Sequence, residues 1–134
     1  MALAACASPN ETGTTATSAV EVTLEDFAVR LAQGSVPAGE VTFRATNAGP
    51  SGHELMVIKT DLDPAALPTT STRMLDPRGA GVELVGETEG LPVGESGELT
   101  VTLASGKYIL LCNIYDDAGA HFGQGMLTAF TVTD

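Results

Sequence analysis

A chain of 134 residues with 43% hydrophobic content is long enough to bury one core and needs no disulfide framework to do so. Six Lys and Arg against 17 Asp and Glu leave a formal charge of −11 at pH 7, which repels phosphate, sets nucleic acid aside and favours basic partners. No apolar run approaches the roughly 20 residues of a membrane-spanning helix.

The chain opens with Leu3-Ala4-Ala5-Cys6, an aliphatic residue, two small ones and a cysteine, the form of a bacterial lipobox. Residues 7–19 behind it are rich in Ser, Thr and Ala. Such a stretch has little to bury and reads as a flexible tether. Residues 1–19 are therefore expected to be a signal-peptide remnant with a lipid-attachment site at Cys6, followed by the tether. That places the protein outside the cytoplasm, in the periplasm or on the outer face of the cell membrane. The basic and apolar regions of a full signal peptide do not precede the box. A Cys6–Cys112 disulfide is set aside, because closing it would order the tether at an entropic cost.

The folded domain is expected over residues 20–134, and strand patterns dominate it. Glu21-Val22-Thr23-Leu24-Glu25 alternates polar and apolar, as a half-buried strand does. Phe27 to Leu31 follows, then a turn at Val36-Pro37-Ala38-Gly39. Val41 to Thr46 alternates again and stops at Asn47-Ala48-Gly49-Pro50-Ser51-Gly52. His53 to Lys59 is an apolar run of strand length. Between Asp61 and Ser96 the pattern breaks at Pro64, Pro68, Pro77 and Pro92. A connection that long usually carries small elements of its own. A helical turn is predicted at Asp63 to Leu67 and a short strand at Val82 to Val85. Gly97 to Leu103 restores a period of two, and Lys107 to Cys112 is almost continuously apolar, as in a central strand. Leu127 to Thr133 closes the domain. Short strands with turn signals between them predict an all-β, Greek-key β-sandwich.

Chemistry concentrates at Cys112-Asn113-Ile114-Tyr115-Asp116-Asp117-Ala118-Gly119-Ala120-His121 and the Met126 that follows. The chain's two histidines are His53 and His121. Side chains two apart on a strand share a face, so Cys112 lies on the side of Leu110 and Tyr108, at the rim of the core. Glycines at 119, 123 and 125 let the loop fold back so that Cys112, His121 and Met126 point to one spot. Taken singly, His53 reads as a hydrogen-bonded histidine, Cys112 as a small hydrophobe and Met126 as core filler. Taken together they are a thiolate, two imidazoles and a thioether, the donor set of a mononuclear copper site that serves both Cu(I) and Cu(II). Zinc on Cys and two His is the competing metal, without an evident general base beside an open position. A thiol nucleophile assisted by His121 is a second alternative, without an evident third, orienting residue. A dinuclear copper centre would need a second cysteine in the loop, and the loop has one.

At these residues the chain resembles the cupredoxins, the small blue-copper proteins of the plastocyanin and azurin type. The resemblance spans about residues 20–134 and rests on three stretches. They are Val36 to Phe43, Asn47-Ala48-Gly49 leading to His53-Glu54-Leu55, and Gly106-Lys107-Tyr108 running into Cys112, His121 and Met126. It implies one copper ion with His53, Cys112 and His121 as equatorial ligands and Met126 axial. It implies a Gly52 carbonyl near the opposite side, and Glu54 as an acceptor bridging the ligand loops. The eight residues between Cys112 and His121 are more than plastocyanin and azurin have. The expected function is therefore electron transfer rather than catalysis, by a monomer tethered through a lipidated Cys6. Its partner would be a basic redox protein such as a c-type cytochrome or an oxidase. Electrons would pass through an exposed edge of His121, with Asp116 and Asp117 as steering charges. The alternatives are copper storage, delivery or resistance with the same ligands, and a metal-free interaction domain.

Overall fold

Backbone pairing starts earlier than the apolar pattern does. The computed structural model describes residues 16–134; the lipobox cysteine Cys6 and the tether over 7–15 lie outside the described residues. Strand β1 (Ala16–Glu25) runs parallel to β4 (Gly39–Gly49), and its first residues, Ala16 to Ala19, pair with Gly39 to Thr42. Those four residues were expected in the tether. They pair because a ladder needs only backbone N–H and C=O groups, whatever the side chains bury. Gly39 permits the approach: at φ 141° it is open to glycine, and a Cβ there would collide with the Ala16 carbonyl.

Two sheets face each other. The first has the order β2 (Ala28–Leu31), β1, β4, β7 (Ser96–Leu103). The second runs β3 (Ser35–Pro37), β11 (Leu127–Thr133), β8 (Gly106–Leu111), β5 (Met56–Lys59), β6 (Glu83–Glu87). A two-stranded ribbon, β9 (Tyr115–Asp116) with β10 (Gly119–Ala120), lies within the loop after Cys112. Non-sequential neighbours in both sheets make this the expected Greek-key β-sandwich. Among the described residues the helical pieces are two single 3-10 turns, at Pro64–Ala66 and Phe122–Gln124. The first is capped by Asp63, whose Oδ1 accepts from Ala65 N at 2.8 Å.

The alternation of β4 turns Val41, Phe43 and Ala45 inward against Tyr108, Leu110, Phe130 and Val132 of the second sheet. Phe43 and Phe130 meet edge to face at 5.4 Å between centroids. Cys112 belongs to this core together with Tyr108 and Leu110, the parity the strand period requires. The almost continuous apolar run of β8 has its cause on the other face. There Ile109 and Leu111, with Met56 and Ile58 of β5, are covered by Leu67 and Leu75 of the 61–96 connection and by Phe122. The connection is a cover for the second sheet, and it buries β5 and β8 on both sides.

Asn47 occupies an inward position of β4 where an apolar residue would fit the pattern, and it is fully buried. Its amide donates to the Ser51 carbonyl at 2.9 Å and the Leu91 carbonyl at 2.8 Å, and its Oδ1 accepts from Gly49 N at 2.7 Å. The turn from Asn47 to His53 is thereby shaped from within.

Candidate metal centre

Three chain segments deliver the donors to one end of the sandwich. Cys112 is the residue immediately past β8. Its backbone N–H donates to the Met126 carbonyl at 3.2 Å, tying the start of the ligand loop to its end. His53 follows the Asn47 turn and is held by a reciprocal bridge: its N–H donates to the Leu91 carbonyl and its carbonyl accepts from Leu91 N at 2.7 Å. His121 begins the 3-10 turn; its N–H donates to the Ile114 carbonyl, and its carbonyl accepts from Gln124 N and Met126 N. The turn is pinned from outside by Arg73, whose Nη2 donates to the Gly123 carbonyl at 2.6 Å. A Cβ at Gly123 would come within 2.8 Å of the Arg73 Cβ, so only glycine lets the two segments touch. Asn113 makes a second pin, accepting from Leu75 N at 2.8 Å and donating to the Leu75 carbonyl at 3.1 Å.

The side chains of His53, Cys112 and His121 converge, and all three are fully buried. Cys112 Sγ lies 3.7 Å from His53 Nδ1 and 3.6 Å from His121 Nδ1, and the two Nδ1 atoms are 3.2 Å apart. The centre of such a triangle lies about 2 Å from each corner, the length of a first-row metal bond to imidazole or thiolate. On the far edges of the rings, His53 Nε2 is 2.8 Å from Asp26 Oδ1 and His121 Nε2 is 2.7 Å from Asp116 Oδ2. An ionised carboxylate only accepts, so each Nε2 must donate, and a neutral ring then has a bare lone pair at Nδ1. Without an ion the Cys112 thiol can donate to one of these Nδ1 atoms at a time, which leaves the other lone pair unpartnered. A cation in place of that proton would bond all three donors at once, so the residues fit a metal ion, and the soft thiolate beside two imidazoles fits copper.

The surroundings set the charge states. Burial pushes the Cys112 thiol up to about 11, against N–H bonds from Glu54, at 3.4 Å, and from Ile114. Burial also pushes His53 below its ordinary value, against the pull of Asp26. Asp26 is partly desolvated, which alone would raise it, but its bonds from Ser51 and His53 hold it below the usual carboxylate range. Asp116 is held low by the Ala118 N–H and by His121. Glu54 is pushed up, first by burial and then by Glu87, while its carboxylate accepts from the Asn113 N–H. The hydrogen bond that joins the loops of His53 and Cys112 runs from Glu54 N to the Cys112 sulfur at 3.4 Å.

The thiol carries a pH signature. Its folded value lies above the ordinary 9.0. The fold's preference for the neutral thiol is therefore complete below about pH 9 and is lost as pH rises through about 11. Urea unfolding of the metal-free protein is expected to show stability falling by on the order of 2–3 kcal/mol across that window. Cys112→Ser should not show this component; a decline equal in both proteins would assign it elsewhere.

Met126 is fully buried in the core cluster that contains Cys112. The expectation for His121 changes more. It presents no exposed edge: its Nε2 is covered by Asp116 and its ring stands edge to face with Phe27 at 5.1 Å. The long loop is the cause, since β9 and β10 fold Asp116 back over the imidazole. Asp116 is thus engaged by a ring rather than free on the surface, while Asp117 stays exposed. Sequence reasoning missed Asp26, Asn47, Arg73 and Asn113. Asn47 had a signal, a polar residue at an inward position of an alternating strand; Asp26 had none.

No family model and no curated protein matches the sequence. Solved structures do. Auracyanin B is 27% identical, with 94% of each chain covered and a TM-score of 0.60. Reduced auracyanin from the photosynthetic bacterium Roseiflexus castenholzii is 25% identical, covering 90% of this chain and 100% of that one, with a TM-score of 0.57. Auracyanin A, a "blue" copper protein from the green thermophilic photosynthetic bacterium Chloroflexus aurantiacus, is 18% identical. It covers 88% of this chain and 100% of that one, with a TM-score of 0.56. The fold of this chain is the cupredoxin fold, and it brings His53, Cys112 and His121 together.

Proposed function

We propose that the protein is a mononuclear type 1 copper protein that carries single electrons, and that His53, Cys112, His121 and Met126 would hold the ion. The observation that carries this reading is the buried triangle of Sγ and two opposed Nδ1 atoms. Bound copper would supply a one-electron couple between Cu(I) and Cu(II). The chain's own residues do the rest. The Glu54 and Ile114 N–H groups stabilise charge on the sulfur. The core around Cys112 and Met126 keeps water out. Pins at Asn47, Arg73 and Asn113 hold the donor positions fixed, which keeps reorganisation between oxidation states small. The similarity to auracyanins supports the same reading.

Full burial of the three donors favours retaining the ion over handing it on, and so favours electron transfer over storage, delivery or resistance. The physiological partner is a basic redox protein, a c-type cytochrome or an oxidase, attracted by the −11 charge. We place the protein outside the cytoplasm, as a monomer tethered through Cys6. Titrating Cu(II) into the metal-free protein is expected to give an intense visible thiolate-to-copper band that saturates at one equivalent and bleaches reversibly with a mild reductant. Tight binding without that colour would overturn the reading.

A further inference from the structure

Both imidazoles of the centre end on a carboxylate, and those carboxylates come from unrelated parts of the chain. Asp26 lies in the turn between β1 and β2, and its Oδ1 also accepts from Ser51 N at 3.2 Å while Oδ2 accepts from Ser51 Oγ at 2.8 Å. Asp116 lies on β9, and its Oδ1 accepts from Ala118 N at 2.9 Å. Each carboxylate is anchored on one side by a loop and on the other by a ring. Neither is free in solvent: the side chains are 19% and 35% exposed.

We propose that Asp26 and Asp116 are paired positioning residues that hold both ligand imidazoles in the Nε2–H tautomer and bias the centre toward Cu(II), lowering its reduction potential. The proposal rests on the copper reading above. Two effects act in the same direction. A carboxylate accepting from Nε2–H raises the basicity of Nδ1, which strengthens its bond to the more highly charged ion. A fixed negative charge hydrogen-bonded directly behind each fully buried ring stabilises the divalent state more than the monovalent one. Asp117 provides an internal comparison. It carries the same charge one residue along, but it is exposed and no bond from its carboxylate to a ring is formed. A general surface-charge effect would act through Asp117 as it does through Asp116; an effect through the imidazole would not.

The test is spectroelectrochemical titration of the copper-loaded protein and of Asp116→Asn, Asp26→Asn and Asp117→Asn. Asp116→Asn and Asp26→Asn are each expected to shift the reduced-to-oxidised ratio at fixed poise tenfold or more toward reduced, a rise of about 59 mV or more for one electron. Asp117→Asn should move it far less, and Asp116→Glu, which restores the charge, should return toward the parent value. Nitrogen-15 NMR of the metal-free parent should find both rings protonated at Nε2. If Asp26→Asn fails to fold for want of its Ser51 bonds, Asp116→Asn still decides. A potential unmoved by Asp116→Asn, or moved equally by Asp117→Asn, overturns the proposal while leaving a blue parent protein intact. A parent protein that never turns blue overturns the copper reading and this inference with it.

Discussion

Cys112→Ser is expected to abolish the visible band of the copper-loaded protein outright. The colour requires charge transfer from a thiolate, and the described residues place one sulfur of a cysteine at the centre. The serine hydroxyl is a harder donor with a far higher pKa, so it does not replace thiolate toward Cu(I). Affinity should fall by more than the roughly 10–100-fold that loss of an outer partner costs, because a direct bond disappears. The fold should survive. Serine is close in volume, and its oxygen can accept the Glu54 N–H that the sulfur now accepts. Absorption spectroscopy and circular dichroism on one sample separate the two consequences. A variant that keeps the intense band would remove Cys112 from the centre.

Phe43→Ala should have the largest effect on stability. Phe43 is fully buried at the middle of β4 and packs edge to face on Phe130, joining the two sheets. Truncating such a ring costs the transfer energy of its atoms plus the cavity left behind, about 3–5 kcal/mol. Set against a whole-domain stability of roughly 5–15 kcal/mol, that is a large fraction. Thermal unfolding of the metal-free protein should shift down by on the order of 10–20 °C. The metal-free form is the one to measure, because an ion that binds only the native state masks part of the loss. A cost below about 1 kcal/mol would mean that the sheets do not pack through this ring pair. The effect should reach the site as well, since Asn47, which shapes the His53 turn, sits on the same face four residues along β4.

Much of the fold was legible because strand geometry writes a period of two into the residues that bury one face. The alternation of Val41 to Thr46 and of Gly97 to Leu103 predicted strands that exist, as did the unbroken run before Cys112. The start of β1 was not legible: Ala16 to Ala19 carry no apolar alternation and pair through backbone groups alone. The role of the 61–96 connection was not legible either. Its coverage of β5 and β8 and its pins at Arg73 and Asn113 depend on where a proline-broken segment comes to rest.

The candidate donors were legible in the sequence. A chain with two histidines, and one cysteine outside its first six residues, offers few ways to assemble a thiolate with two imidazoles, so residue type and order already pointed to His53, Cys112 and His121, which the structure brings together, with Met126 as the proposed fourth donor. The environment of those donors belonged to the tertiary structure. Seventeen acidic residues are interchangeable on paper. Loop packing selected Asp26 and Asp116 to face the two rings, and the ribbon of β9 and β10 buried the His121 edge that local composition had suggested was open. Contacts between residues far apart in the chain leave no periodic mark, because they are set by where closed loops meet rather than by the repeat of any one element.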